Sequence, residues 1–191
     1  MTGNIRKVGT TLALLCAFLV PRADAGQLVS PADREWAKKA VAEEKSLSAP
    51  AGKNTVAVLY FRNGTGDPSL DPMRKGIPLL LGTDLSGGPG LSVVERTRLQ
   101  ALSEETGLGA SGLVEAGTAP RVGKLLGARW LVGGEIGREK PTRIDLTSNV
   151  ADVPAGTTNG KTSAGGEIER LFEVEKDILF GVLKLLDVKV T

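Results

Sequence analysis

The residues that could do chemistry in this sequence are four carboxylates and two glycine-rich segments. The carboxylates are Asp67, Asp71, Asp84 and Glu95. Two acids that converge in a cleft could hydrolyse a glycosidic bond, but the sequence positions of these four do not predict convergence. A carboxylate-dependent hydrolase of envelope polymers is therefore the weakest of three functional hypotheses. Asp67 and Asp71 also lack the spacing of a recognised calcium loop.

Neither glycine-rich segment has the context of a nucleotide-binding loop. Residues 155–162 fit a relaxed phosphate-loop pattern. Such a loop lies between a buried strand and a helix that begins at once, whereas residues 163–166 delay the next helix here. Gly64 and Gly66 follow a strand, but Ser69 stands where the third glycine of a dinucleotide fingerprint would fall. We expect no nucleotide and interpret Asn159-Gly160 as a hairpin turn.

The composition excludes further classes of protein. The 191 residues include 24 Lys and Arg, 22 Asp and Glu, one Cys and no His, for a net charge of +2. Without His, the Ser-His-Asp and Cys-His arrangements cannot be built. A single Cys excludes a disulfide scaffold and, without His, a thiolate or imidazole zinc site. A nearly neutral chain with 4% aromatic residues is also a poor candidate for nucleic-acid binding. We expect no catalytic residue, metal, cofactor or nucleic-acid partner.

The first 25 residues are typical of a secretory signal. Two basic residues precede an apolar run at residues 8–20, and a small-x-small cleavage site ends at Ala25. We expect cleavage after Ala25 and export to the bacterial periplasm, with outer-membrane association left open. An uncleaved N-terminal anchor is the alternative. Cys16 is poorly placed for a lipid anchor, because Leu15 occupies the position where a lipoprotein signal has a small residue.

Residues 26–53 predict an N-terminal helix and a linker. Ser30 is a favourable N-cap, Pro31 fits the first helical position, and the helix could continue to about Lys45. Its apolar positions are few, so we expect a loosely docked helix without a function of its own. A partner-binding arm is the alternative.

Residues 54–191 predict an α/β domain. The segment 55–61 is apolar on both faces, which is typical of a central strand covered by helices on both sides. Pro78 predicts a kink, or a late start near Lys75, in the helix that follows. Further helices are expected near residues 95–106 and 118–127, and further strands near residues 91–94 and 129–136.

The C-terminal third predicts a hairpin and a long helix. Residues 143–153 alternate between apolar and polar, which indicates a strand with one wet face near a sheet edge. Residues 154–166 are polar and glycine-rich and could supply its antiparallel mate. From Glu167 to about Asp187 apolar residues recur at helical spacing, with Phe172 among those that widen the stripe.

The candidate binding residues follow the first two strands of this domain. They are Arg62, Asn63, Asp67, Glu95, Arg96 and Arg98. Crevices form at the carboxyl ends of the strands in α/β sheets, so these side chains are expected at such a crevice. For Glu95, Arg96 and Arg98, ion pairs that stabilise the fold are the first interpretation and a protein-docking edge is the second.

The order of the motifs resembles the CsgG/HfaB family of curli-secretion-type envelope proteins, and also the related TolB N-terminal-like and FlgO-type modules. The resemblance covers about residues 54–187. It rests on VAVLYFRNGTG at 56–66, the segment 76–85, LSVVERTRL at 91–99, VGKLLGARWLVGGE at 122–135 and LFEVEKD at 171–177.

The resemblance implies a three-layer α/β module with a mixed, mainly parallel-core sheet covered by helices and an antiparallel edge hairpin. It implies a non-enzymatic envelope protein, an assembly or secretion accessory that binds envelope proteins or copies of itself. Membrane contact would be through a partner. An oligomeric secretion-channel subunit for curli-like fibres is the alternative. Such channels are lipoproteins with long membrane-crossing hairpins, and only residues 143–153 approach the ~9–11 alternating residues that each strand needs. We therefore expect the family core without these insertions.

Overall fold

The five helices and six strands of the described chain form one mixed α/β unit. A computed structural model describes residues 29–48, 54–107 and 118–188. The predicted signal with Cys16 and residues 49–53 of the predicted linker lie outside this part. The helices are α1 (Pro31–Ala42), α2 (Met73–Ser86), α3 (Arg96–Thr106), α4 (Ala119–Leu126) and α5 (Leu171–Leu185). The strands are β1 (Thr55–Val58), β2 (Arg62–Asn63), β3 (Ser92–Val93), β4 (Trp130–Gly137), β5 (Arg143–Asp152) and β6 (Thr157–Glu167).

The sheet joins a parallel half to an antiparallel half. Its strand order is β3-β1-β4-β5-β6, and the short β2 also pairs with β4. β1 is parallel to β3 and β4, and β2 is parallel to β4. β5 is antiparallel to both β4 and β6. The predicted mixed sheet with an antiparallel edge hairpin is thus confirmed.

Helices cover both faces of the parallel half. On one face, Val56 packs in a buried cluster with Ile77 of α2 and Ile178 of α5. On the other face, Ala57 packs with residues of α3 and α4, Leu102 and Leu126 among them. The predicted three-layer α/β architecture is therefore confirmed, with α2 and α5 in one helical layer and α1, α3 and α4 in the other.

The first strand is shorter than the apolar run predicts. β1 ends at Val58, and the next N–H, that of Leu59, still donates to the Val132 carbonyl at 2.8 Å. The Phe61 N–H instead donates to the Arg74 carbonyl in α2 at 3.0 Å. The chain therefore leaves the regular strand, and Tyr60 packs on the same face as Leu59 rather than opposite it.

Pro78 does not delay the start of α2, so the expectation of a start near Lys75 is wrong. The helix begins at Met73 and continues through the proline. Because proline has no N–H, the carbonyl four residues earlier, that of Arg74, has no helical donor. The Phe61 N–H takes that place, so a contact between a loop and the helix compensates for the missing helical hydrogen bond.

The hairpin between β5 and β6 does not turn at Asn159-Gly160, as predicted. The turn lies at residues 153–156, where the Gly156 N–H donates to the Val153 carbonyl at 3.2 Å. Asn159 lies inside β6 at a bulge, because Val150 pairs with Gly160 and the next pair is Ala151 with Thr158. A Cβ on Gly160 would lie 2.4 Å from Leu185 of α5. The glycine therefore permits close approach of the helix rather than a turn.

α5 has most of the predicted apolar stripe, with two differences. Phe172 is 67% exposed, so it does not widen the buried stripe as predicted. Glu175 is only 1% exposed, although its type and position do not predict burial. A 3-10 turn at Ile168–Arg170 precedes the helix, which begins at Leu171 rather than near Glu167.

α1 is firmly packed, so the expectation of a loosely docked helix is wrong. Ala37 is fully buried in a small cluster with Val29 and with Ala101 of α3. The predicted N-cap is present: Ser30 accepts from the Asp33 N–H, and the Asp33 carboxylate accepts from the Ser30 N–H. The helix ends at Ala42.

Candidate partner-binding site

The six candidate binding residues fall into three places. Arg62, Asn63 and Asp67 lie around β2 and the loop that follows it, Glu95 and Arg96 lie where β3 leads into α3, and Arg98 lies on the side of α3 that faces α1. The residues expected at the carboxyl ends of the strands therefore lie at two neighbouring parts of the sheet, apart from Arg98.

The first place is a polar network, here called the Asn63 network: Arg62, Asn63, Asp67, Glu135 and Arg138. The Asn63 amide donates to the Asp67 carbonyl at 2.9 Å. The Asn63 amide also donates to the neighbouring Asp71 carboxylate. Arg62 pairs with Glu135 on β4, and Arg138 pairs with the Asp67 carboxylate at 2.8 Å. Each charge in this network has a partner of opposite sign.

Local geometry maintains the Asn63 network. The Asp67 carboxylate accepts from the Ser69 N–H, which, with the nearby Arg138 guanidinium, lowers the pKa of Asp67 below its ordinary value of 3.8. Gly64 leaves room for Glu135, because a Cβ there would lie 2.0 Å from the Glu135 Oε1. The network therefore acts to hold the loop after β2 against β4.

Arg98 connects two helices. Its guanidinium lies over the ring of Trp36 in α1, 5.2 Å from the ring centroid. The ion pair that the sequence favoured for Arg98 is not seen among the described residues, where the arginine instead contacts this aromatic ring.

The second place is a surface cavity of about 250 Å³, here called the β3 crevice. It lies at the carboxyl ends of β1 and β3, between α2 and the start of α3, as expected for a parallel α/β sheet. Its lining comprises Val58, Tyr60, Lys75, Pro78, Leu79, Gly82, Thr83, Ser86, Val93, Val94, Glu95 and Arg96.

Tyr60 forms the polar end of the β3 crevice together with two cations. The Lys75 ammonium lies 5.3 Å from the ring centroid, and the Arg96 guanidinium carbon lies 6.0 Å from it. The Tyr60 hydroxyl donates to the Gln100 Oε1 at 2.8 Å, and the Gln100 amide donates to Glu104 at 3.0 Å. These hydrogen bonds hold the ring in one orientation.

The two cations differ in their pairing from the charges of the Asn63 network. Neither Lys75 nor Arg96 forms an ion pair with a carboxylate in the part of the chain that the structure describes. The Arg96 Nε is buried and has no hydrogen-bond partner there. Glu95 is the one acidic residue of the lining, and its side chain is exposed. The β3 crevice is thus apolar on its walls and cationic at one end.

Sequence reasoning missed Tyr60, Lys75 and Leu79. Tyr60 was expected in the regular first strand, and Lys75 at the start of the next helix. Lys75, Leu79, Gly82 and Ser86 recur at steps of three or four, which puts them on one face of α2. That spacing is a signal that could have identified this wall of the crevice.

The four carboxylates considered for hydrolysis fall into three separate places, because only Asp67 and Asp71 lie near each other. Asp67 and Asp71 both accept hydrogen bonds near Asn63, Asp84 pairs with Lys176 of α5, and Glu95 lines the β3 crevice. Within residues 29–48, 54–107 and 118–188, no three His, Cys, Asp or Glu side chains are grouped so that they could hold a metal ion. No helix in these ranges is long and apolar enough to cross a membrane.

The fold and site define a class: a three-layer α/β domain with an open crevice at the carboxyl ends of its parallel strands. Residues 37–138 match the family described as curli production assembly/transport component CsgG. The match includes β1 to β4 and the whole lining of the β3 crevice. The chain belongs to the CsgG family, as its motifs indicated.

Solved structures share the fold at low identity. The lipoprotein GNA1162 from Neisseria meningitidis is similar with a TM-score of 0.52 and 12% identity, covering 67% of this chain and 95% of that one. The C-terminal domain of LpoB from Salmonella enterica has a TM-score of 0.50 and 12% identity, covering 70% of this chain and 94% of that one.

A curated relative from Rhizobium meliloti (strain 1021) is named putative adenylate cyclase 3. It is 30% identical over 168 residues, which are 85% of this chain but 26% of the relative. The chain therefore spans about a quarter of that protein's length.

Proposed function

We propose that this chain is a periplasmic protein of the bacterial envelope that binds other envelope proteins, as an assembly or secretion accessory, and catalyses no reaction. Membership of the CsgG family carries the proposal, because the matched residues 37–138 belong to a family described as an assembly/transport component. Residues 1–25 would be a signal removed after Ala25. Contact with the outer membrane would be made through a partner.

The surface that best supports protein binding is the β3 crevice. In the Asn63 network the charges neutralise one another, so binding a partner there would break ion pairs that the fold already uses. In the β3 crevice the cations form no ion pair with any carboxylate that the structure describes, and apolar walls remain open to solvent. A partner would therefore gain contacts there without displacing existing ones.

A secretion-channel subunit is the second candidate, because the family description includes transport. The two functions differ in behaviour. An accessory protein is released by osmotic shock, whereas a channel subunit remains with the membranes after a salt wash and forms detergent-resistant rings.

The name of the cyclase relative makes enzymatic activity a question for experiment. The purified chain, incubated with ATP and Mn²⁺ or Mg²⁺, is expected to form no cyclic AMP. Cyclic AMP formation that a single substitution abolishes would overturn the non-enzymatic part of the proposal.

The main test combines export with partner capture. The tagged full chain is expressed in a Gram-negative host, released by osmotic shock, and its N-terminus is determined. We expect Gly26 as the first residue, and capture of an envelope protein by the wild-type chain but not by Arg96→Glu. Lys161→Glu, at an exposed position of β6, is the matched control and should retain capture. Retention of the unprocessed chain in the cytoplasm, or equal capture by Arg96→Glu, would argue against the proposal.

A further inference from the structure

We propose that the β3 crevice binds an extended peptide segment of a partner in which a single carboxylate side chain lies next to apolar ones. This inference rests on the proposed function and specifies the chemistry of the partner. It is carried by the size of the cavity, by two cations without a carboxylate partner among the described residues, and by the open edge of β3.

The size of the cavity favours side chains over a larger ligand. Its volume is about 250 Å³, below the ~300–1,000 Å³ typical of pockets for drug-sized molecules. Val58, Leu79 and Val93 supply an apolar lining. Leu79 is 47% exposed, so a bound apolar side chain would remove it from water.

The charge of the cavity favours an anionic group. Lys75 and Arg96 lie against Tyr60 without a carboxylate partner among the described residues, and the Arg96 Nε is buried without an acceptor. A carboxylate brought by a ligand would give the half-buried Arg96 side chain a charge-assisted hydrogen bond. The positive end of the α3 dipole, at Arg96, adds to this preference.

The exposed Glu95 limits how acidic the segment can be. Its carboxylate also lines the cavity and would repel a second negative charge. One carboxylate between apolar side chains therefore fits the β3 crevice better than an acidic run.

Because Gln100 holds the Tyr60 ring, the aromatic surface is ordered before a ligand arrives.

The edge of the sheet favours a peptide over a free anion. The N–H groups of Ser92 and Val94 donate towards β1, to the carbonyls of Asn54 and Val56 at 3.0 and 2.8 Å. The intervening Val93 therefore directs its own N–H and C=O away from β1, at the free edge beside the cavity. An extended peptide could pair with this backbone while its side chains enter the β3 crevice.

The test uses three labelled peptides that differ at one central residue: Gly-Ser-Leu-Glu-Leu-Ser-Gly and its Gln and Lys counterparts. Fluorescence polarisation with the full chain should give binding to the Glu peptide about 10-fold tighter than to the Gln peptide, as one charge-assisted hydrogen bond predicts. The Lys peptide should bind most weakly.

Variants of the protein connect this preference to the cavity. Arg96→Gln should reduce binding of the Glu peptide to the level of the Gln peptide, and Lys75→Gln should reduce it partly. Leu79→Ser should weaken the binding of both the Glu and the Gln peptide. Phe180→Ser, which changes an apolar residue of α5 that is 56% exposed, should leave both unchanged. Circular dichroism melting curves identify any variant that fails to fold. One folded variant, Arg96→Gln or Lys75→Gln, is enough to test whether the preference depends on the cavity.

Equal binding of the Glu and Gln peptides, or tighter binding of oleate or anionic lipid vesicles than of any peptide, would overturn this inference. Failure of all peptides while Arg96-dependent capture of an envelope protein persists would overturn the inference alone. Loss of that capture as well would overturn the proposed function.

Discussion

The two helical layers that cover the sheet are built from different side chains. The cluster beneath α2 and α5 consists of large residues, and no alanine is among its buried members within the described chain. The clusters beneath α1, α3 and α4 contain six buried alanines, at positions 37, 40, 57, 101, 119 and 128. In the second layer, small side chains therefore let the helices approach their neighbours closely, whereas in the first layer large side chains fill the space between the helices and the sheet.

This difference bears on how much each layer contributes to the stability of the fold. A buried large side chain contributes about 1.5–3 kcal/mol of transfer free energy, and an alanine contributes less because it buries less apolar area. Ion pairs lie at the rim of both layers: Arg34 with Glu104 and Arg121 with Glu44 in the second, and Asp84 with Lys176 in the first. The β3 crevice lies where α2 of the first layer meets α3 of the second. One wall of the cavity, α2, thus belongs to the layer with the larger buried side chains.

The largest effect is expected from a deletion in the first layer. Ile178→Ala removes a fully buried side chain of α5 and should lower the free energy of unfolding by about 2–5 kcal/mol. Urea denaturation followed by circular dichroism measures this change. Phe180→Ala, two residues further along the same helix at a 56% exposed position, is the control and should change it little. Equal losses for the two variants would contradict the layer assignment.

The second layer should be sensitive to the opposite change. Ala101→Leu inserts bulk between α3 and α1, where Ala101 contacts a cluster with Ala37 and Val29, and should cost about 1–3 kcal/mol. Glu105→Leu adds a similar side chain on the exposed side of α3 and should cost much less. Thermal unfolding of both variants makes the comparison. A stabilising Ala101→Leu would show that this interface contains unfilled space.

The architecture could be predicted from the sequence where local pattern and tertiary contact agree. The apolar run of β1 indicated a central strand, and the alternation of β5 indicated one wet face. The errors arose where a distant group satisfies a local requirement. The Phe61 N–H occupies the Arg74 carbonyl that Pro78 leaves free, and Leu185 accounts for Gly160. Neither partner can be identified from the neighbouring residues.

The candidate site was partly predictable for the same reason. The rule that crevices form at the carboxyl ends of strands identified Glu95 and Arg96 as candidates. It could not separate them from Arg62, Asn63 and Asp67, because the pairing of those residues with Glu135 and Arg138 depends on the register of β2 with β4. The α2 wall depends on how that helix is rotated against the sheet, and the sequence alone does not specify this.

Glu175 is an exception to the apolar character of the first layer. It is 1% exposed, and neither carboxylate oxygen has a hydrogen-bond partner in the described chain, although Lys176 lies 3.3 Å away. Desolvation raises its pKa above the ordinary value of 4.5, and nearby Asp84 adds to the rise. Glu175→Gln should therefore increase the free energy of unfolding at pH 7, by about 1–3 kcal/mol.

The pH dependence of this gain has a defined sign. The native state holds the Glu175 proton more tightly than the unfolded state does. The contribution of this group to the free energy of unfolding therefore falls as the pH rises from 4.5 towards its higher native pKa. The advantage of Glu175→Gln should be full above that pKa and shrink as the pH falls towards 4.5. Denaturation curves at several pH values measure it. Asp177→Asn removes an exposed carboxylate of the same helix and is the matched control.

The smallest effect is expected at the N-cap of α1, in the second layer. The Ser30 hydroxyl accepts from the Asp33 N–H at 3.1 Å, so Ser30→Ala leaves that donor without its cap and should cost about 1 kcal/mol. Ser30→Thr keeps the hydroxyl and should retain most of the stability. If α1 depends on small contacts and its cap, amide hydrogen exchange in Ser30→Ala should accelerate in α1 and remain slow in α5. Acceleration of the same size in both helices would mean that the two layers unfold as one unit.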